Sequence, residues 1–284
     1  MHLFLKTFFR SLGRVFPKCV TLSQAIAFNM FLAFFPILLL ALGVVSSTSL
    51  FHEALREIPE RLSLILPPGT SDVVFAYFVR RGVHPATWMS LGLGATLLAG
   101  SQVMVGFIEG FCTIEGDKVR PTSWRLYLRA MILLCLTIIP MLSVIFLTVF
   151  GKQGRAWLIH RLGSPRLIHE LAFLAYTAGV FLLAMAVLVA IYRIGRPGHR
   201  GLRDLLPGAA LATILWWAAD IFFGLYVRRM PYNVVYGGLA AAIGLLLWMY
   251  LTALIVLVGA AYNAEARLIS ATATNPIKAR VLSY

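Results

Sequence analysis

The 284-residue chain is 60% hydrophobic and 13% charged, whereas ordinary soluble domains are roughly 45–50% apolar and about 25% charged. Its 25 Lys plus Arg against 11 Asp plus Glu give a net charge of +14, which in so apolar a chain suits loops resting on anionic lipid. These balances exclude a disordered chain and a soluble enzyme, and three cysteines without a CxxC pair exclude a disulfide scaffold.

At the start of the chain Lys6, Arg10, Arg14 and Lys18 recur every four residues, with Leu5, Phe8, Phe9, Leu12 and Phe16 largely opposite. This spacing predicts a basic amphipathic helix on an anionic leaflet, or else a charged lead-in that orients the first span. Charge interleaved with apolar residues argues against a cleaved signal peptide. A hydrocarbon core of about 30 Å needs about 20 apolar residues in helix. Six windows meet that length: Leu22–Leu50, Pro85–Ile108, Ala130–Phe150, Leu171–Tyr192, Leu205–Val227 and Val234–Asn263. They lack the alternation of barrel strands. The expected fold is therefore all-α, a polytopic integral membrane protein with six transmembrane helices and short amphipathic interfacial helices. It reads as one membrane domain: a basic segment over 1–21, a six-helix bundle over 22–263 and a cytoplasmic tail over 264–284.

Between the first two windows, Phe51, Leu55, Ile58, Leu62 and Ile65 keep a helical spacing up to Pro67, Pro68 and Gly69. Val73, Val74, Tyr77 and Phe78 suggest a second amphipathic piece. With the N-terminus inside, 15 of the 25 basic residues fall on the cytoplasmic side and ten outside, and per residue the two sides hardly differ. The acid-free N-terminal stripe and the dense Arg193–Arg203 loop tip it toward cytoplasmic N- and C-termini.

Chemistry-bearing motifs are absent. The six histidines form no HxH or HExxH pattern, there is no Walker or dinucleotide glycine loop, and Ser101 and Ser143 lack a nucleophile elbow. No metal, cofactor or catalytic set is expected. The polar residues inside spans are more informative. Asp220 sits in the fifth window, where an ionised carboxylate costs roughly 2.5–3.5 kcal/mol. It is expected to face the bundle or a wet cavity, or to carry a proton, either as a proton or cation site or as a hydrogen-bonded strut. Asn29, Gln102 and Glu109 are further intrusions, and Tyr236 and Asn263 join Asp220 and Asn29 as candidates for a substrate or proton site. Pro36 and Pro140 can kink their helices. Gly106 and Gly110 form a GxxxG, and Gly237, Gly238 and Gly244 mark another small face, both suited to close helix packing.

The segments Leu206–Val227 and Asn233–Glu265 resemble the YihY/virulence factor BrkB family of bacterial inner-membrane proteins, formerly named ribonuclease BN. The resemblance rests on Ala25, Ala27, Phe28 and Pro36 in the first window, and on Tyr236, Gly237, Trp248, Tyr250, Gly259 and Ala260 in the last. Two departures stand out: Ala261 where the family often has Glu, and Asp220 where it more often has a small or hydroxyl residue. The resemblance implies six helices with both ends cytoplasmic in the bacterial inner membrane. It also implies links to serum resistance and to export of lipid or solute.

The leading expectation is a transporter, exporter or lipid translocator without a nucleotide engine, with anionic phospholipid as partner. Arg193, Arg196, Arg200 and Arg203, then Arg120 and Arg129, are the candidates for headgroup binding; topology and surface anchoring is the alternative role for each. The competing readings are a non-catalytic scaffold for partner proteins and an RNA-processing enzyme. The enzyme fits worst, because RNA cleavage needs metal ligands or an acid–base set that the loops lack. Nucleic acid is not an expected partner, and self-association stays open.

Overall fold

The computed structural model describes residues 2–46, 85–116, 124–138, 165–196, 201–229 and 238–274. These form helices α1 (His2–Ser46), α2 (Pro85–Glu115), α3 (124–138), α4 (Pro165–Ile194), α5 (Leu206–Arg229) and α6 (Gly238–Thr274), with a 3-10 turn at Leu202–Asp204 before α5. No strand occurs among the described residues.

Five segments of these helices are long and apolar enough to cross a bilayer: Phe16–Leu40, Met89–Glu115, Thr177–Ile194, Leu202–Leu225 and Ala242–Ile269. The expected third window, Ala130–Phe150, is represented by α3, and its remainder lies outside the described residues. So do the amphipathic pieces expected over residues 51–84, together with Arg120, Pro140, Arg200, Tyr236 and Gly237. A separate interfacial helix over 1–21 is not seen, because α1 runs unbroken from His2 through the first span. It also continues through Pro36, whose missing N–H leaves the Leu32 carbonyl without its usual donor. At the other end of the chain, α6 carries helix to Thr274, well into the expected tail.

Helix ends follow local chemistry. Gly116, at φ 72°, closes α2 in a left-handed conformation that costs glycine little. The α4 helix stops at Ile194, followed by Gly195 and Arg196 in a bend ahead of Pro197, which disfavours helix at Arg196. Pro207 occupies the first turn of α5, where its missing N–H has no intrahelical partner to lose.

The chain forms two compact units. The first comprises Met1–Lys18, Ile108–Leu215 and Val256–Tyr284; the second comprises Cys19–Phe107 and Trp216–Ile255. In the second unit α1 and α2 pack antiparallel on small residues. A Cβ on Gly92 would lie 3.0 Å from the Leu40 nitrogen, and one on Gly106 would lie 3.0 Å from Ile26. Ala99 falls midway between the two glycines, so a small residue recurs every two turns along one face. Phe223 and Trp248 also meet in this unit, with ring centroids 5.2 Å apart.

Large apolar side chains remain on the outside of both units. Leu98 is 72% exposed and Phe222 77%, with Leu91, Leu174, Ile214 and Ile221 also exposed. Water would penalise that surface at about 25 cal/mol per Å², whereas lipid tails do not.

Candidate functional site: a buried charge cluster at the helix ends

In the first unit, the C-terminal ends of α2, α4 and α6 converge with the start of α5. Glu115, the last residue of α2, has a side chain only 4% exposed. Its Oε1 accepts ion pairs from Arg196, just beyond α4, and from Arg267 in α6. Arg196 is itself buried, and its Nη2 donates to the Ala260 carbonyl at 3.0 Å. Its guanidinium lies 5.8 Å from the Phe111 ring centroid and 5.9 Å from that of Tyr192. Those two rings meet edge to face at 5.6 Å. Arg267 anchors within its own helix through Nε to the Asn263 carbonyl at 3.2 Å. Glu265, also buried, adds another acid in this part of the chain.

Asn263 is fully buried beside this cluster and caps a helix other than its own. Its Oδ1 accepts from the Gly208 N–H at 2.7 Å, and its Nδ2 donates to the Leu205 carbonyl at 3.0 Å. The first-turn N–H groups of a helix have no intrahelical acceptor. Asn263 therefore does for α5, from across the bundle, what an N-cap residue does locally. Tyr192 fixes α4 to α6 in the same way, donating its hydroxyl to the Val256 carbonyl at 2.8 Å.

Glycine permits this convergence. A Cβ on Gly259 would sit 2.6 Å from the Gly208 oxygen and 2.8 Å from the Ala212 Cβ, and would also collide with the Tyr192 hydroxyl. A Cβ on Gly208 would strike the Gly259 oxygen and lie 2.5 Å from the Asn263 amide. At Gly195 it would lie 2.9 Å from the Phe111 ring. The α5 and α6 backbones thus cross in near contact, with Ala209 and Ala212 completing the small face on α5.

The candidates singled out from sequence are distributed unevenly around this cluster. Asn263 and Arg196 are in it, both buried and both bonded. Arg193 and Arg203 flank it on exposed positions, and Arg129 is half-buried on α3 with Nη1 inaccessible and without a hydrogen-bond partner. Asn29 is half-buried on α1. Asp220 belongs to the second unit, on an exposed face of α5 with Trp217, Ile221 and Phe222. Of the packing glycines, Gly106 faces Ile26, Gly110 is buried, and Gly244 comes near Phe223; Gly238 opens α6. Glu115, Arg267 and Tyr192 were missed as site residues. The available signal was positional: Glu115 and Arg267 are charges at the ends of windows two and six, which an even-span arrangement puts on the same side as Arg196.

Apolar helices with buried small-residue crossings and charges gathered at their ends define a helical integral membrane protein. Residues 16–281 match the family described as virulence factor BrkB, and the chain belongs to that family. It is similar to a UPF0761 membrane protein of Laribacter hongkongensis, 25% identical over 250 residues, or 87% of this chain and 58% of the relative. It is also similar to a UPF0761 membrane protein of Nitrosospira multiformis, 27% identical over 274 residues, or 93% of this chain and 60% of that one. A ribonuclease-like protein of Bacillus subtilis, YfkH, is 26% identical over 182 residues, covering 62% of this chain and 64% of its own. The chain thus spans little more than half the length of the first two relatives. No solved structure matches it.

Proposed function

We propose that the protein is a transporter or lipid translocator of the bacterial inner membrane that works without a nucleotide engine. The observation that carries this reading is the buried Glu115–Arg196–Arg267 cluster. Charges inside an apolar bundle are costly, and they recur in membrane proteins where substrates, ions or protons pass. Here the cluster ties together three helix ends through one carboxylate. Loss of that single anion would release the end of α2 from α4 and α6, which stay joined through Tyr192 and Arg196, as a gate requires. Among the described headgroup candidates, Arg193 and Arg203 are the exposed ones beside it and are suited to attract anionic headgroups, while Arg196 is engaged with Glu115.

Six crossings fit this arrangement. The ends of α2 and α4 meet at Glu115 and Arg196, so both helices arrive at the same membrane face. A chain that leaves α2 there and enters α4 from the far side must cross between residues 116 and 165. Among the described residues of that interval, α3 is the helix available for that crossing. With the charge cluster on the cytoplasmic side, both termini are cytoplasmic.

Reconstitution tests the reading. Purified protein in liposomes is expected to accelerate scrambling of a fluorescent phospholipid, or to open an ion flux, above empty vesicles. A scaffold would change neither, and that result would overturn the proposal. The name of the Bacillus subtilis relative raises an RNA-cleaving alternative. That alternative requires RNA cleavage by the purified protein that is lost on mutating its loop histidines and acids.

A further inference from the structure

The first turns of α3 carry two guanidiniums and no acid. Arg125 and Arg129 stand four residues apart, about 40° around the helix axis and about 6 Å along it, so they share a face. Residues 124–138 contain neither Asp nor Glu, and among the described residues neither arginine makes an ion pair. Arg125 is exposed and lies over the ring of Trp124, 5.4 Å from its centroid. Arg129 is half-buried, and its Nη1 is inaccessible and without a hydrogen-bond partner. Two like charges at this spacing repel each other. Drawing one of them partly out of water with no counter-charge adds to the cost. An anion held between them relieves both, and the planar fork of a guanidinium matches a phosphate.

Depth selects the source of that anion. Arg129 is the last charge before the apolar run Ala130–Phe150, which sets it where hydrocarbon gives way to headgroups. Trp124 and Tyr127, both exposed, mark the same level, as aromatic residues do at membrane interfaces. Leu128 and Ile132 are exposed on the same side, and with the two arginines they fall within an arc of about 100°. We propose that this face of α3 holds an anionic phospholipid, its phosphate between Arg125 and Arg129 and an acyl chain along Leu128 and Ile132. The exposed Arg125 and the accessible edge of Arg129 are the groups that meet the phosphate. Two guanidiniums repel the ammonium of a zwitterionic headgroup, so a lipid of net negative charge is preferred. The site lies wholly in the first unit, apart from the Glu115 cluster, and its lipid is resident rather than cargo. It rests on the membrane setting and not on the transport reading.

The test is lipid binding by the purified chain in a neutral detergent, counted by mass spectrometry of the intact complex. Phosphatidylglycerol is expected to bind at least about tenfold more tightly than phosphatidylcholine, the difference that one charge-assisted contact confers. Arg125→Gln and Arg129→Gln are each expected to bring phosphatidylglycerol down by about tenfold, toward the phosphatidylcholine level. Arg125 is exposed, so its variant decides the matter even where Arg129→Gln disturbs folding. Arg228→Gln with Arg229→Gln removes two charges from the end of α5 and is expected to leave the preference intact. Excess inorganic phosphate is expected not to displace the lipid, because it offers nothing to Leu128 and Ile132. No preference for phosphatidylglycerol, or one as strong in Arg125→Gln as in the unaltered chain, would overturn the site. An equal loss with the α5 pair would reduce the preference to overall charge and overturn it as well. Displacement by phosphate would overturn the lipid as occupant. None of these readouts involves scrambling or ion flux, so failure here is distinguishable from failure of the transport proposal.

Discussion

Asn263 makes two hydrogen bonds of opposite sense, accepting from Gly208 and donating to Leu205, and its amide supplies the acceptor oxygen and the donor nitrogen on separate atoms of one planar group. Asn263→Ala leaves a buried N–H and a buried carbonyl without partners, at about 1–3 kcal/mol each. Asn263→Asp keeps the acceptor but sets a carboxylate oxygen against the Leu205 carbonyl, so it is expected to destabilise at least as much. Thermal denaturation in detergent, followed by retention of monodisperse protein, measures both. Glu115→Gln strips the buried Arg196 of its counterpart, with an expected cost of about 3–5 kcal/mol; Arg196→Gln leaves Glu115 paired with Arg267 and is expected to cost less. Arg267 is 29% exposed at its side chain, and Arg267→Gln is expected to cost well under half as much. An apolar double replacement, Glu115→Leu with Arg196→Met, is expected to recover stability relative to either single loss while abolishing any gating by the pair. Asn263 and Arg196 were visible in the sequence, one as a polar residue inside a span and the other within a run of arginines. Their partners were not. Arg267 and Glu115 lie 152 residues apart, and nothing local marks which of many terminal arginines meets that acid.

Helices were the most legible part of the sequence, because continuous apolar runs admit little else in lipid. Boundaries were less so: α1 and α6 both overrun their apolar windows, since polar residues outside hydrocarbon can prolong a helix without penalty. The GxxxG at Gly106 was visible as a packing motif, but its partner, Ile26, was not. The tighter crossing at Gly208 and Gly259 escaped notice because the two glycines lie on different helices, and neither forms a GxxxG. That crossing separates two kinds of glycine. Gly259→Ala and Gly208→Ala force a methyl into backbone atoms and are expected to prevent accumulation of folded protein. Gly94 and Gly179 have open space where a Cβ would go. Alanine at either is expected to raise helix stability by about 0.5–1 kcal/mol. Expression level and melting temperature of the four variants compare the two classes directly.

Across the full chain, shared burial of the helix ends makes a prediction about sidedness. Single cysteines introduced at position 203, ahead of α5, or at position 274, the end of α6, are expected to react with an impermeant reagent from the same side of the membrane. A cysteine at position 229, the end of α5, is expected to react from the opposite side. Inverted vesicles compared with intact cells read this out, and a common side for all three would break the six-crossing arrangement. Composition made the membrane setting plain, and the family follows from residues 16–281. The three-dimensional meeting of four helix ends lay beyond it, because apolar side chains are nearly interchangeable as neighbours in lipid and encode little about who packs on whom.

The unbroken length of α1 sets the reach of its leading segment. Its 45 residues extend about 67 Å, against about 30 Å of hydrocarbon, and its membrane-crossing part is Phe16–Leu40. The helix ahead of that part, from His2 to Val15, is therefore about 21 Å long. A spin label near residue 2 would report from about that distance before the span begins, and its mobility would tell a surface-bound leading segment from one standing in water.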